Sequence, residues 1–128
     1  MSESLIPVTP GLLDLLRREG QGIVPFSQEI LVLEIVVAGT SYCAEIESIE
    51  SCIVPEKFLT MKREPDNKFD KFAIALYCDD TRIGFVPAAT NQVCSRLMDA
   101  GKLFVCRVVA KNWIDSWLQI DAHIFMVD

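Results

Sequence analysis

The chain has one histidine, no C-x-x-C pair and no disulfide-like cysteine pattern. A zinc site needs three or four converging ligands, so we expect no metal ion and no cofactor. The number of cysteines is odd, and most lie at positions typical of buried side chains, which favours reduced thiols over disulfides. The five cysteines are Cys43, Cys52, Cys78, Cys94 and Cys106.

Membrane spans and secretory signals are also missing from the sequence. The longest apolar stretch, ILVLEIVVAG, is interrupted by Glu34 and is far shorter than the roughly 20 residues of a membrane-spanning helix. The N-terminal MSESLIPVTP has no basic region followed by an apolar region, so it does not resemble a secretory signal. These absences predict a cytoplasmic protein with no membrane partner.

Basic residues are too few for bulk electrostatic coating of nucleic acid. The chain has 18 Asp and Glu against 12 Lys and Arg, a formal net charge of −6. Residues 1–56 contain nine acids and two bases, whereas 57–128 contain nine acids and ten bases. Because phosphate binding depends on clustered Lys and Arg, any contact with a polyanion is predicted to come from 57–128.

Hydrophobic periodicity predicts a mainly β chain with one or two helices. An early helix is predicted between Thr9 and Gly20, and a late helix after Ala88 that ends at Gly101. The acidic stretch 40–56 is predicted to be a loop with short strand segments. Strands are predicted over 30–38, 57–62, 71–78 and 82–87, with a tight Asp79-Asp80 turn, and two long strands finish the chain. The apolar face of the late helix is predicted to comprise Ala89, Val93, Cys94, Leu97 and Met98.

About six antiparallel strands leave two sheet edges, which small β domains protect by curling the sheet. We therefore predict a small, partly open β-barrel. The predicted domain comprises residues 30–128, and residues 1–29 form an N-terminal extension with a short helix.

The stretch KREPDNKFDKFAIALYCDDTRIGFVP, residues 62–87, contains a more specific pattern. R-E-P is followed by an Asn, an aromatic-Asp pair, A-I, a hairpin and I-G-aromatic-V-P. This order resembles the signature of the HIRAN domain family. The resemblance extends over about 30–126, through VVAGTSYC and ATNQVCSRLMDAGKLFVCRVV. HIRAN domains resemble OB-folds, so the resemblance implies that the predicted barrel is OB-like.

The resemblance also implies a function and a site. The best-understood HIRAN domains belong to DNA-dependent remodelling and fork-reversal ATPases, where they bind the 3′-hydroxyl end of single-stranded DNA. By this resemblance Asp70 accepts a hydrogen bond from the 3′-hydroxyl, and Phe69 and Tyr42 are the aromatic walls. Ser41 and Phe85 occupy DNA-contacting positions where the DNA-end binders have Arg and His.

Charge alone adds Lys68 and Lys71 as predicted phosphate contacts. Two other roles stay open for the candidate carboxylate, because Asp70 could cap a turn or hold Arg63 in an ion pair. Asn67 is interpreted as a structural turn residue.

The main functional hypothesis is a stand-alone DNA-binding module for single strands or 3′ ends, acting in repair or processing beside a DNA-processing protein. No P-loop, nucleophile elbow or H-E-x-x-H helix occurs, so no enzyme is predicted. ATPase or hydrolase activity belongs to accompanying domains in larger family members. A weak catalytic alternative is the pair Asp121 and His123 on one strand face, completed by a nearby cysteine.

A protein-interaction module is the alternative from another class. In this hypothesis the HIRAN scaffold has lost DNA-end binding. The acidic segment from Glu45 to Glu56, with Ile46, Ile49 and Ile53 interspersed, then presents a surface to a basic partner.

Overall fold

A computed structural model describes residues 28–127 of the chain, which form six strands and two helices. The predicted helix between Thr9 and Gly20 lies outside these residues. The strands are β1 (Glu29–Val36), β2 (Phe58–Arg63), β3 (Ile74–Cys78), β4 (Thr81–Phe85), β5 (Leu103–Ile114) and β6 (Trp117–Val127), and the helices are α1 (Ile46–Ile49) and α2 (Asn91–Asp99).

The six strands form one sheet with the order β1-β6-β5-β2-β3-β4, and all neighbours are antiparallel. The sheet curls until its two end strands meet at one point. There Ala38, just beyond β1, exchanges two backbone hydrogen bonds of 2.8 Å with Phe85 in β4. We call this bridge the seam. It confirms the predicted mainly β, partly open barrel, because the sheet is not closed elsewhere among the described strands.

Glycine is required at the seam for lack of space. A Cβ atom on Gly84 would lie 2.4 Å from the carbonyl oxygen of Ala38 and 2.6 Å from Cγ1 of Val37. Backbone groups cannot move aside as a flexible side chain can. Gly84 therefore allows β4 to approach the chain that follows β1.

The core lies on the concave face of the sheet. Along β6 the side chains of Leu118, Ile120, Ala122 and Ile124 are buried in alternation, as the period of two predicts. Met126, the last member of the predicted core face, is half-buried. The Asp79-Asp80 turn joins β3 to β4 as predicted, and Asp79 takes a positive φ of 54°.

The acidic segment 40–56 differs from the prediction, because it contains short helical turns in place of strand segments. They are α1 and two 3₁₀ turns, Thr40–Tyr42 and Glu50–Cys52. Helical spacing directs Ile46, Ile49 and Ile53 toward the core, where Ile53 is fully buried. Ile46 and Ile49 are half-buried against the core, so the acidic side chains form most of the outward surface of this segment.

Helix α2 confirms the predicted late helix and the packing of Cys94, Leu97 and Met98 against the core, but the predicted Ala89 and Val93 are exposed. Val93 is 69% exposed, whereas Asn91 and Ser95 are buried with Cys94. The apolar pattern was misleading because two polar residues find hydrogen-bond partners inside: Asn91 donates to Asp70 and Ser95 to a backbone carbonyl of the same helix.

We expect a thiol-reactive dye to label Cys52 and Cys43 in the native protein, because Cys52 is exposed and Cys43 half-buried. Burial raises the pKa of Cys106 to about 12 and also raises the pKa of Cys78 and Cys94. A raised pKa lowers the thiolate fraction, and thiolate is the reactive form. Two fast-reacting thiols before denaturation and five after it are the expected result. Rapid native labelling of a third thiol would contradict the described core.

Gly84→Ala should lower the free energy of unfolding by about 1–3 kcal/mol, because the new methyl group overpacks the seam. Urea denaturation monitored by circular dichroism measures this change. Ala89→Ser, at an exposed position, is the control and should leave the midpoint unchanged. Equal midpoints for both variants would show that the seam is looser than described.

Candidate functional site

Two connected compartments lie beside the seam, and together we call them the seam groove. The first, about 630 Å³, lies between the seam and the loop that contains Asn67 and Phe69. The second, about 750 Å³, lies between the turn after Gly39 and the β3–β4 hairpin. The compartments adjoin, because both are lined by Ala38, Tyr42, Arg82 and Phe85.

Four of the predicted site residues line the first compartment: Tyr42, Phe69, Asp70 and Phe85. They come from the turn after β1, the β2–β3 loop and β4. The rings of Tyr42 and Phe69 are almost fully open to solvent, at 91% and 96% exposure, whereas Phe85 is half-buried. The compartment therefore has two exposed aromatic rings, one partly buried ring and one carboxylate.

Asn67 organises the loop that presents Phe69. Its side-chain oxygen accepts hydrogen bonds from the backbone N–H groups of Phe69, at 2.8 Å, and Asp70, at 3.1 Å. Its amide nitrogen donates to Oε1 of Glu64 at 3.0 Å. This turn confirms the structural interpretation of Asn67, although its φ is not in the left-handed region.

Asp70 is held by two donors. Oδ1 accepts from the backbone N–H of Phe72 at 2.8 Å, and Oδ2 accepts from Nδ2 of Asn91 at 2.7 Å. Asp70 therefore caps a turn. Because each carboxylate oxygen has two lone pairs, the side chain can still accept a hydrogen bond from a ligand.

The alternative ion pair between Asp70 and Arg63 is wrong. Arg63 pairs with Asp99, at 2.9 Å from Nε to Oδ1. Its terminal nitrogens also donate to the carbonyl oxygens of Ala73 and Lys71. Arg63 therefore ties α2 to the β2–β3 loop and is not directed at the groove.

Ser41, Lys68 and Lys71 are exposed but do not line either compartment. Nζ of Lys71 lies 5.3 Å from the centre of the Phe72 ring. Ser41 lies in the 3₁₀ turn, directly before Tyr42. The structure does not bring these three residues together with the other four, and their contact with DNA stays a prediction.

Sequence reasoning missed Arg82, which lines both compartments. Its guanidinium carbon lies 5.3 Å from the centre of the Phe85 ring, and Nη1 lies 3.3 Å from Oε2 of Glu64. Strict alternation would put residues 82 and 85 on opposite faces of β4. A bulge changes this: Leu76 pairs with Gly84 and Tyr77 with Arg82, so Ile83 is the extra residue.

The catalytic alternative finds little support around His123. Asp121 accepts a hydrogen bond from Gln119 at 3.0 Å, and the His123 ring contacts Phe125 edge-on with centroids 6.2 Å apart. Cys106 pairs with Ile124 and faces the core, away from this pair.

Within residues 28–127, no three His, Cys, Asp or Glu side chains are grouped in a way that could hold a metal ion. In the same part of the chain, no helix has the length and apolarity needed to cross a membrane.

Comparisons with known proteins agree with the fold. The HIRAN domain profile matches residues 30–127. A crystal structure of a Lactobacillus plantarum protein has a TM-score of 0.72 at 17% identity and covers 80% of this chain and 98% of that chain. The crystal structure of the HIRAN domain of human HLTF has a TM-score of 0.63 at 16% identity and covers 79% of this chain and 78% of that chain. A search of curated proteins gives no significant match.

Asn91→Ala should destabilise the protein by about 1–3 kcal/mol, because it removes a buried donor that holds the Asp70 carboxylate. Chemical denaturation measures the loss. Asn112→Ala, at an exposed position of β5, is the matched control and should have little effect. Similar unfolding midpoints for the two variants would contradict a stabilising role of the bond between α2 and the loop.

Proposed function

The chain belongs to the HIRAN domain family, and on this premise we propose that it is a DNA-binding module. In this proposal the first compartment takes the free 3′ end of a single strand. The observation that supports it best is the convergence of Tyr42, Phe69, Asp70 and Phe85 on one compartment, although they come from three separate segments of the chain. Four of the seven residues predicted from the sequence thus line one compartment.

The aromatic rings suit unpaired bases. A base that stacks on an aromatic ring gains about 1–3 kcal/mol, and stacking tolerates any base because every base has a π-face. Tyr42 and Phe69 expose nearly their whole rings and line the same compartment. Two such rings can hold a base whose faces are accessible, as at a strand end, but not a base stacked inside a duplex.

The carboxylate of Asp70 supports selection of a free 3′-hydroxyl. An ionised carboxylate only accepts hydrogen bonds, and a hydroxyl is a donor. A 3′-phosphate would bring negative charge to the same place and be repelled. The bonds from Phe72 and Asn91 hold the carboxylate in one orientation, which lowers the entropy lost on binding.

Electrostatics also favour recognition of an end over coating of a strand. The net charge is −6, and Glu45 and Asp80 line the second compartment. Most phosphates of a long strand gain little from this surface, so specific contacts at and beside the terminal nucleoside must provide the affinity. Such a module fits repair or processing of DNA ends, beside a DNA-processing partner that supplies the catalytic activity.

Fluorescence anisotropy with a labelled short single strand tests the proposal. A strand with a 3′-hydroxyl should bind about tenfold more tightly than the same strand with a 3′-phosphate, and Asp70→Asn should remove this preference. The amide keeps an oxygen that can cap the Phe72 turn, and its nitrogen can donate to the side-chain oxygen of Asn91 once the Asn91 amide turns over. Asp115→Asn, in the β5–β6 turn, removes the same charge elsewhere and should behave as the wild type.

Absence of binding, or binding that is indifferent to both the strand end and Asp70→Asn, would overturn the proposal. The HIRAN scaffold would then serve a protein partner. The acidic side chains Glu45 and Glu47, which face solvent, would be the first surface to test against a basic protein.

A further inference from the structure

We propose that Arg82 is the residue of the seam groove that binds a DNA phosphate, and that Glu64 competes with the DNA for it. This inference rests on the proposed function, since it concerns the same groove. It names the cationic contact and adds an internal acidic competitor.

Arg82 lies where the two compartments of the groove meet. Among the Lys and Arg residues at positions 28–127, Arg82 is the one that lines the compartments, and it lines both. A strand whose terminal nucleoside occupies the first compartment must pass Arg82 to continue into the second. The second compartment otherwise offers the carboxylates of Glu45 and Asp80, which repel phosphate.

The conformation of Arg82 suits a phosphate contact. Its guanidinium lies against the Phe85 ring, at 5.3 Å from the ring centre, and its side chain is 52% exposed. This cation–π contact keeps the guanidinium beside the ring. Arginine donors in this arrangement match the oxygen spacing of a phosphate.

Three neighbouring cations do not line the groove. Lys57 pairs with Asp79 at 2.9 Å, and Nζ of Lys62 lies 4.4 Å from the centre of the Tyr77 ring. Arg63 is 12% exposed and pairs with Asp99. Within the described residues, Arg82 is therefore the cation that lines the groove itself.

Glu64 occupies the place that a phosphate oxygen would take. Oε2 of Glu64 lies 3.3 Å from Nη1 of Arg82, which is longer than the 2.7–2.9 Å typical of a strong charge-assisted bond. Oε1 accepts from Asn67. A phosphate must therefore share or displace a weakly held carboxylate. Glu64→Gln keeps an oxygen for Asn67 and removes the competing charge.

Two labelled single strands test the inference. They differ only in the linkage next to the 3′-terminal nucleoside, which is a phosphodiester in one strand and a neutral methylphosphonate in the other. Wild type should bind the phosphodiester about tenfold more tightly, since one charge-assisted contact is lost with the neutral linkage. Arg82→Gln should bind both strands equally, at the weaker affinity. Glu64→Gln should bind the phosphodiester several-fold more tightly than wild type does.

The matched controls are Lys57→Gln and Lys102→Gln, which lie outside the groove lining and are not among the predicted DNA contacts. Each should keep the wild-type preference for the phosphodiester. Salt titration gives a second readout, because neutralising one phosphate of a single strand gives a slope of log K on log salt of about −0.7. The slope should fall toward zero in Arg82→Gln and stay near −0.7 in both lysine variants.

The inference is overturned if Arg82→Gln still prefers the phosphodiester, or if a lysine variant loses that preference. The preference for a 3′-hydroxyl over a 3′-phosphate is measured with the same proteins. If that preference persists, the proposed function stands although the inference about Arg82 fails. Loss of all strand binding in wild type overturns both. Since Arg82 and Glu64 form a partly exposed pair, neither variant should unfold the protein.

Discussion

The backbone bridge between Ala38 and Phe85 is the contact on which the site depends. It joins the two ends of the sheet, and it forms only because Gly84 has no side chain to collide with Val37 and Ala38. The bridge places the turn that contains Tyr42 next to β4. Without this contact the two compartments would open, and the residues that line them would separate.

Hydrogen bonds connect the groove to the rest of the domain. Asn67 holds the β2–β3 loop so that Phe69 faces solvent, and Asn91 connects the Asp70 carboxylate to α2. The polar residues around the groove therefore stabilise the fold and can also form hydrogen bonds to a ligand. Asp70 shows both properties, since its two donors orient the carboxylate and leave lone pairs for a ligand.

The sequence was informative where local pattern and tertiary structure agree. Alternation along β6 predicted the buried side chains, and of the five residues that the family resemblance indicated, Asp70, Phe69, Tyr42 and Phe85 line one compartment whereas Ser41 does not. It was misleading where a polar group is buried with a partner. Hydrophobicity placed Val93 inside, but Asn91, bonded to Asp70, is buried instead, beside the predicted Cys94.

By itself, the sequence determined the six strands, the late helix, the tight turn and the family, because these depend on periodicity and on residues close together in the chain. Tertiary structure alone decided that Arg82 joins the groove and that segment 40–56 contains short helical turns. The reason is physical: a β-bulge at Ile83 changes which face Arg82 occupies, and burial of Ile53 depends on strands distant in sequence. Neither effect is encoded in the local alternation of polar and apolar residues.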